Sequence, residues 1–248
     1  MKAADNKKIF DNYLTNHYSS CEKTDFNNDN EVLVLLNKNK KVIEHNLKGL
    51  FEKNIDKKSN ILDLGCGYGS FLFFLQSNNY QNVTGIDISA EEVSVCKRFF
   101  KSYKFHQEDI FNYINNTNKK FDVIYLSHVL EHIKKENLFD FLDGIKRILN
   151  DGGFFIIVVP NSAAYFNSAA NRYGDLTHEI GFTDLSLRQA LMVAEFKNIE
   201  IKNFPSVGNL WLNIVRKVAL FLFGIFIQVL GYDKQHIHTP SILAIAKK

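Results

Sequence analysis

Cysteine is scarce in this chain: three occur in 248 residues, at positions 21, 66 and 96, and no two form a C-x-x-C pair. That spacing offers neither a disulfide framework nor a structural zinc site, and it suits a reducing compartment. A strong charge of one sign is missing too. The formal net charge is +3, with Lys interspersed among Asp and Glu, so there is no basic stripe to hold nucleic acid. Residues Met1 to Lys8 contain no apolar core of the kind a secretory leader needs. In the most apolar segment, 210–231, the run is uninterrupted only from Val218 to Ile227, whereas a bilayer span takes about 20 apolar residues. No repeat or flexible linker divides the chain. These absences leave a cytoplasmic protein with one α/β domain and additions, long enough to bury a sizeable core.

What is present is concentrated in Ile61-Leu62-Asp63-Leu64-Gly65-Cys66-Gly67-Tyr68-Gly69. A short apolar run ends in a carboxylate and then in three glycines spaced two apart, which reads as a strand entering a tight turn whose main-chain N–H groups approach a ligand. Phe71 to Leu75 then reads as a helix packing on the sheet. A nicotinamide dinucleotide loop wants G-x-G-x-x-G, but position 70 is Ser and the third glycine falls one residue early. Asp63 at the strand tip would also repel a phosphate, whereas it would accept from an amine or a cation. The spacing favours a cofactor without phosphates.

Three more segments follow in register. Asn82 to Ser89 is a strand ending in Asp87, 24 residues after Asp63, and a carboxylate there can accept both ribose hydroxyls of an adenosine. Phe105 to Ile110 carries Asp109, 22 residues further on. Phe121 to His128 is nearly continuous apolar sequence, as expected of a central parallel strand buried on both faces. Taken singly, Asp87 reads equally well as a helix cap, and Asp109 reads better as one.

D-x-G-x-G-x-G at a strand end, followed by these elements in this order, resembles motif I and its sequel in the class I S-adenosylmethionine-dependent methyltransferases. The resemblance implies a Rossmann-like fold: a seven-stranded, mostly parallel sheet with helices on both faces. It implies S-adenosyl-L-methionine as cofactor, held by Asp63, Gly65, Cys66, Gly67 and Tyr68, with Asp87 and Ile88 at the ribose. Asp109 would meet the adenine amino group, Ile110 would pack on the ring, and Ser127 would face the methionine half. Three regions are expected. Residues 1–58 form an N-terminal helical cap over the substrate side. Residues 59–160 form the cofactor-binding α/β core, with strands near 60–64, 82–87, 103–108, 121–127 and 153–159. Residues 161–248 supply an acceptor loop, an apolar helix and the final strands, of which Ser241 to Ala246 looks like the last. Leu138, Phe141, Leu142, Ile145, Ile148 and Leu149 recur at helical spacing, with Asn150-Asp151-Gly152-Gly153 as the stop before the fifth strand.

After the fifth strand the sequence turns polar. Arg172, Tyr173, Asp175, Thr177, His178 and Glu179 fall close together, at the carboxyl ends of the strands, where open α/β sheets bind ligands. G-D-x-T-H-x-x-x-F-T here resembles the insertion of methyltransferases that modify bacterial surface polysaccharides and sugars, which implies a saccharide acceptor.

His128-Val129-Leu130-Glu131-His132 reads as the bare pattern H-x-x-E-H of the inverted zinc peptidases, but those need it within a helix, and here it follows a buried strand. In that place V-L-E-H is similar to motif IV of the methyltransferases. Some ubiquinone-pathway O-methyltransferases carry E-x-x-E-H there and bind a divalent cation with it. His128 replaces the first Glu, which leaves one carboxylate for a hard cation, and no metal is assigned.

Methyl transfer from a sulfonium needs alignment, worth up to ~7–11 kcal/mol of the barrier, and for a hydroxyl a base worth about 10²–10⁴-fold. The candidate catalytic residues are His178, oriented by Asp175, and His128; His132 reads as a structural contact at a helix start. Segment 210–231, apolar around its circumference, must be buried under a lid, in a homodimer contact, or at the inner face of a membrane, where Arg216, Lys217 and Trp211 would suit an interface. The reading is an S-adenosylmethionine-dependent O-methyltransferase acting on a saccharide or surface-glycan precursor. Behind it stand a quinone, phenol or phosphoryl-group methyltransferase and a non-catalytic cofactor-binding scaffold.

Overall fold

In the computed structural model, which describes residues 24–165, 167–207, 210–231 and 237–248, seven strands make one sheet. The chain opens with α1 (Asp29–Asn54), then β1 (Asn60–Leu64), α2 (Ser70–Ser77), β2 (Asn82–Asp87) and α3 (Ala90–Phe99). It continues through β3 (Lys104–Gln107), α4 (Ile110–Asn116), β4 (Phe121–Ser127), two single 3₁₀ turns, α5 (Leu138–Ile148) and β5 (Leu149–Pro160). The last third holds α6 (Ser168–Tyr173), α7 (Asp184–Val193), β6 (Lys197–Asn203), α8 (Leu210–Val229) and β7 (Ser241–Lys247).

Strand order is β3-β2-β1-β4-β5-β7-β6, with β7 antiparallel to both neighbours and the other pairings parallel. This is the Rossmann-like methyltransferase architecture expected from the motifs. Successive side chains of β4 go to opposite faces, as the strand period demands. Val123 and Tyr125 join a core with α1, α2 and α3, while Ile124 and Leu126 join one with α4, α5 and α7. Phe51 of α1 meets Phe71, Phe74 and Tyr80 edge-on at 5.3–5.8 Å, which fixes α1 across α2. Within the expected N-terminal cap, residues 1–58, the described helix is α1, and its Asn39, Val42 and Ile43 line the cavity described below. The part of that cap formed by residues 1–23, including Cys21, lies outside the described residues.

The fifth strand begins earlier than expected, at Leu149. Phe121 pairs with Leu149 and Val123 with Phe154, so the intervening residues bulge, and Gly152 takes the turn at φ +77°. Asn150 to Gly153 thus kink the strand instead of merely stopping the helix.

The apolar helix α8 corrects one expectation. Of the three fates expected for it, burial under a lid is not met over much of its surface: Val215, Val218, Phe221, Leu222, Phe226 and Val229 are more than half exposed. Phe223 meets Tyr165 edge-on at 5.0 Å, so one side touches the body while the rest of a helix that is apolar all round faces outward. The Trp211 and Lys217 side chains lie outside the described residues. Among the described residues, no helix is long and apolar enough to cross a membrane.

Candidate active site

Strand order reverses between β1 and β4, and at their carboxyl ends a cavity of about 390 Å³ opens, within the ~300–1,000 Å³ range of small-molecule sites. The β1 turn supplies Asp63, Gly65, Cys66, Gly67 and Tyr68; β4 supplies Tyr125, Ser127 and, just beyond its end, His128. Asn39 donates to the Tyr68 hydroxyl at 2.8 Å and to Ser70 Oγ at 3.1 Å, tying α1 to the loop.

The loop amides do not do what the glycine spacing suggests. Gly65 and Cys66 N–H donate to the Ile86 carbonyl, Gly67 to Asp87 Oδ2 at 2.9 Å and Gly69 to the Cys66 carbonyl. The end of β2 supplies the acceptors for Gly65, Cys66 and Gly67, so these three amides lock the turn to β2, while Gly69 closes the turn on itself. A phosphate would gain nothing from them, in agreement with a cofactor that lacks one.

Asp63 is 2% exposed, and its Oδ2 is buried with no hydrogen-bond partner. Burial, and then the nearby Asp87 charge, pushes its carboxyl well above the usual carboxylate range. A carboxylate in that position calls for a cation, and the amino group of S-adenosylmethionine is one. The residues present therefore fit that cofactor's methionine half.

Asp87 is saturated from within the protein: Oδ2 takes the Gly67 amide and Oδ1 the Ser89 amide at 2.9 Å. Glu92, also buried, stands beside it; burial raises both carboxyls, and the Asp87 charge raises Glu92 further. A ribose at Asp87 must share these oxygens. Asp109 caps α4, its Oδ1 accepting from the Phe111 and Asn112 amides. Ile88, Asp109 and Ile110 do not line the cavity around Asp63. The Cys66 thiol is raised by its hydrogen bond with Cys96 and by burial, so it is a wall and not a nucleophile.

Beyond β4 the backbone turns sharply, with His128 at φ +54°. That turn sets His128 on the cavity wall and sends Glu131 inward, where it is 1% exposed. The loop of residues 161–182 is tied at its ends by an Asn161–Phe182 bridge and reaches back to this turn. Glu179 and Ile180 amides both donate to the Glu131 carbonyl, at 2.8 and 3.0 Å. Arg172 donates to the carbonyls of His178 and Glu179. His178 thereby arrives beside Glu131, its Nε2 4.0 Å from Oε1, with the His132 ring centroid 4.9 Å from its own.

This geometry revises the expected pairing of His178 with Asp175. The His178 Nδ1 is held by the Asn171 carbonyl at 2.9 Å, so a backbone group orients it. Asp175 Oδ1 accepts from the Thr177 amide and hydroxyl, and that hydroxyl meets His132 Nδ1 at 2.8 Å. Asp175 thus acts through Thr177 on His132, the histidine read as structural. Burial lowers His132 against the raising effect of Glu131, which keeps its imidazole neutral.

A profile of the methyltransferase domain family matches residues 35–201. The chain belongs to that family. Against solved structures, the chain is similar to an S-adenosylmethionine-dependent methyltransferase from Archaeoglobus fulgidus, at 22% identity and a TM-score of 0.63, covering 84% of this chain and 94% of that one. It is similar also to the N-methyltransferase NodS of Bradyrhizobium japonicum in complex with S-adenosyl-L-homocysteine, at 16% identity and a TM-score of 0.54, covering 86% of each. Among curated proteins it is similar to a polyamine aminopropyltransferase of Yersinia pestis, 30% identical over 155 residues, 56% of this chain and 51% of that protein. The chain spans about half the length of the curated relatives it matches.

The sequence pattern did not mark Asn39, Ser70 and Phe204 as cavity residues, nor Glu92, Asn171 and Thr177 as supports. Thr177, between an Asp and a His, carried some signal. Asn39, in mid-helix 24 residues before Asp63, carried none.

Proposed function

We propose that this methyltransferase moves the methyl group of S-adenosylmethionine to a hydroxyl oxygen of a saccharide or related surface-glycan precursor. The observation that carries the reading is one cavity with a cation-seeking carboxylate, Asp63, at one wall and His128 at another. The cofactor, when bound, supplies an electrophilic methyl on a positive sulfur, and its sulfur leaves as a neutral thioether. Asp63 Oδ2 would accept from its amino group and hold the methionine half in place. His128, with Nδ1 3.4 Å from Glu131 Oε1, is placed to take the hydroxyl proton as the new C–O bond forms. Asn39, Tyr68 and Ser70, joined by hydrogen bonds, close the α1 side and hold the loop still while this happens. The polar loop of residues 161–182, so close to His128 and Glu131, suits an acceptor with several hydroxyls.

The test is transfer of a radiolabelled methyl from S-adenosylmethionine to sugar nucleotides, free sugars, phenols and phosphorylated compounds, together with calorimetric binding of S-adenosylhomocysteine. The reading expects binding, and base-stable label on a sugar hydroxyl. Label confined to phenols or phosphoryl groups would replace the acceptor. Binding with no transfer to any class, unchanged in His128→Ala, would point to a scaffold, and absence of binding would overturn the donor as well.

A further inference from the structure

We propose that Glu131, His132 and His178 form a binding site for a divalent transition-metal cation, two imidazole nitrogens and one carboxylate being its ligands. One ligand atom from each lies within 4.8 Å of the other two. Neighbouring ligands on a tetrahedral ion sit about 3.3 Å apart for bonds of ~2.0–2.1 Å. The 4.0 Å between His178 Nε2 and Glu131 Oε1 needs less than 1 Å of contraction to reach that, within the reach of two side-chain rotations.

Two independent observations point to a cation. The first is the carboxylate. Both Glu131 oxygens are buried and neither has a hydrogen-bond partner. Buried carboxylate oxygens are nearly always satisfied, and a pair of them left facing two imidazoles lacks a positive centre between them.

The second is the way the two rings are held. The Thr177 hydroxyl donates its single hydrogen to Asp175 Oδ1, at 2.5 Å. The Thr177 oxygen must then accept from His132, which places that ring's proton on Nδ1 and its lone pair on Nε2. The Asn171 carbonyl likewise can only accept, so His178 also carries its proton on Nδ1 and presents Nε2. Both histidines are thus set in the tautomer a metal takes, His132 by a hydroxyl backed by a carboxylate and His178 by a backbone carbonyl, the kind of outer partner that orients metal-bound histidines. Nothing in methyl transfer by a single base requires a matched pair.

Two nitrogens and one oxygen suit Zn²⁺, Co²⁺, Mn²⁺ or Fe²⁺ better than Mg²⁺ or Ca²⁺, which want oxygen throughout. His128 lines the cavity and touches the same Glu131 oxygen at 3.4 Å, so the cluster adjoins the cavity. In the proposed methyl transfer, on which this last step rests, a cation here binds the acceptor hydroxyl and eases the loss of its proton to His128.

The experiment uses the full chain without a histidine tag, stripped with a chelator and titrated calorimetrically with ZnCl₂ and, separately, MgCl₂; CoCl₂ is followed by its d–d absorption. S-adenosylhomocysteine binding is measured on the same samples. The expectation is one Zn²⁺ per chain, with nitrogen-ligated Co²⁺ absorption, at least tenfold weaker in His178→Ala and in Glu131→Gln. Thr177→Val, which touches no metal but frees the His132 tautomer, should weaken binding 10–100-fold. No stoichiometric Zn²⁺ or Co²⁺ uptake by a chain that binds S-adenosylhomocysteine would overturn the site while leaving the methyltransferase reading intact. Equal uptake by wild type and His178→Ala, or preference for Mg²⁺, would overturn it too.

Discussion

Gly65→Ala tests the link between the cofactor turn and the turn that carries His128 and Glu131. Gly65 sits at φ +72°, and a Cβ there would overlap Val129 Cγ2 outright. Holding an alanine in the left-handed region costs about 1–2 kcal/mol, and relieving an overlap in a packed site costs about 1–3 kcal/mol. Stiffening the unfolded chain returns ~0.4–1 kcal/mol. The net loss is about 1–4.5 kcal/mol, a large share of the ~5–15 kcal/mol that holds a domain together. Denaturant unfolding of Gly65→Ala, Val129→Ala and the double variant separates the parts. The double variant should recover the overlap cost, a coupling of about 1–3 kcal/mol, and keep the backbone cost. S-adenosylhomocysteine affinity should fall in Gly65→Ala and return in part in the double variant. A coupling below about 0.5 kcal/mol would refute the contact, and a Gly65→Ala chain as stable as wild type would refute the backbone argument as well.

Asp63→Asn should weaken S-adenosylhomocysteine binding by about 2–5 kcal/mol, because it leaves the ligand's amino group buried without a countercharge; equal affinity by calorimetry would refute this. The same substitution should flatten the pH dependence of ligand-free stability. A carboxyl whose folded pKa is raised contributes stability that is full below its unfolded value of about 3.9 and is lost as pH rises through the raised value. Wild type should therefore lose melting temperature relative to Asp63→Asn as pH increases above 4, and parallel curves would count against it. Phe74→Ala empties a fully buried site packed edge-on against Phe51 and should cost about 3–5 kcal/mol in urea unfolding. Thr183→Ala removes the capping box of α7 and should cost ~0.5–2 kcal/mol; a change under 0.3 kcal/mol would show that the cap is dispensable.

The order of the core elements was legible because each carries a local signature. Strands β1 and β4 are runs of apolar residues buried on both faces, and α5 keeps its stripe at Leu138, Phe141, Leu142, Ile145 and Ile148. Asp63 was legible as well, since a carboxylate between an apolar strand and a glycine turn has few other uses. The orientation of the Gly65, Cys66 and Gly67 amides was not, because the acceptors they find belong to β2, some 20 residues away. The exposure of α8 escaped a sequence reading for a like reason: apolarity on every side says that a helix needs cover, not whether its own chain supplies it.

The amino-acid sequence by itself determined the fold, the place of the cofactor turn and the presence of a polar loop after the fifth strand. All of these rest on the spacing of neighbouring residues. Only the tertiary structure decided the chemistry around Glu131. His178 lies 46 residues beyond His132, and Thr177 and Asn171 orient rings they are not next to in sequence. The bonds that bring the two segments together run from backbone N–H groups, which every residue type but proline possesses, to the Glu131 carbonyl, which every residue type possesses. A contact made by atoms common to all residues leaves no mark in the sequence, and so the pairing of those histidines with that buried carboxylate appeared only when the chain was folded.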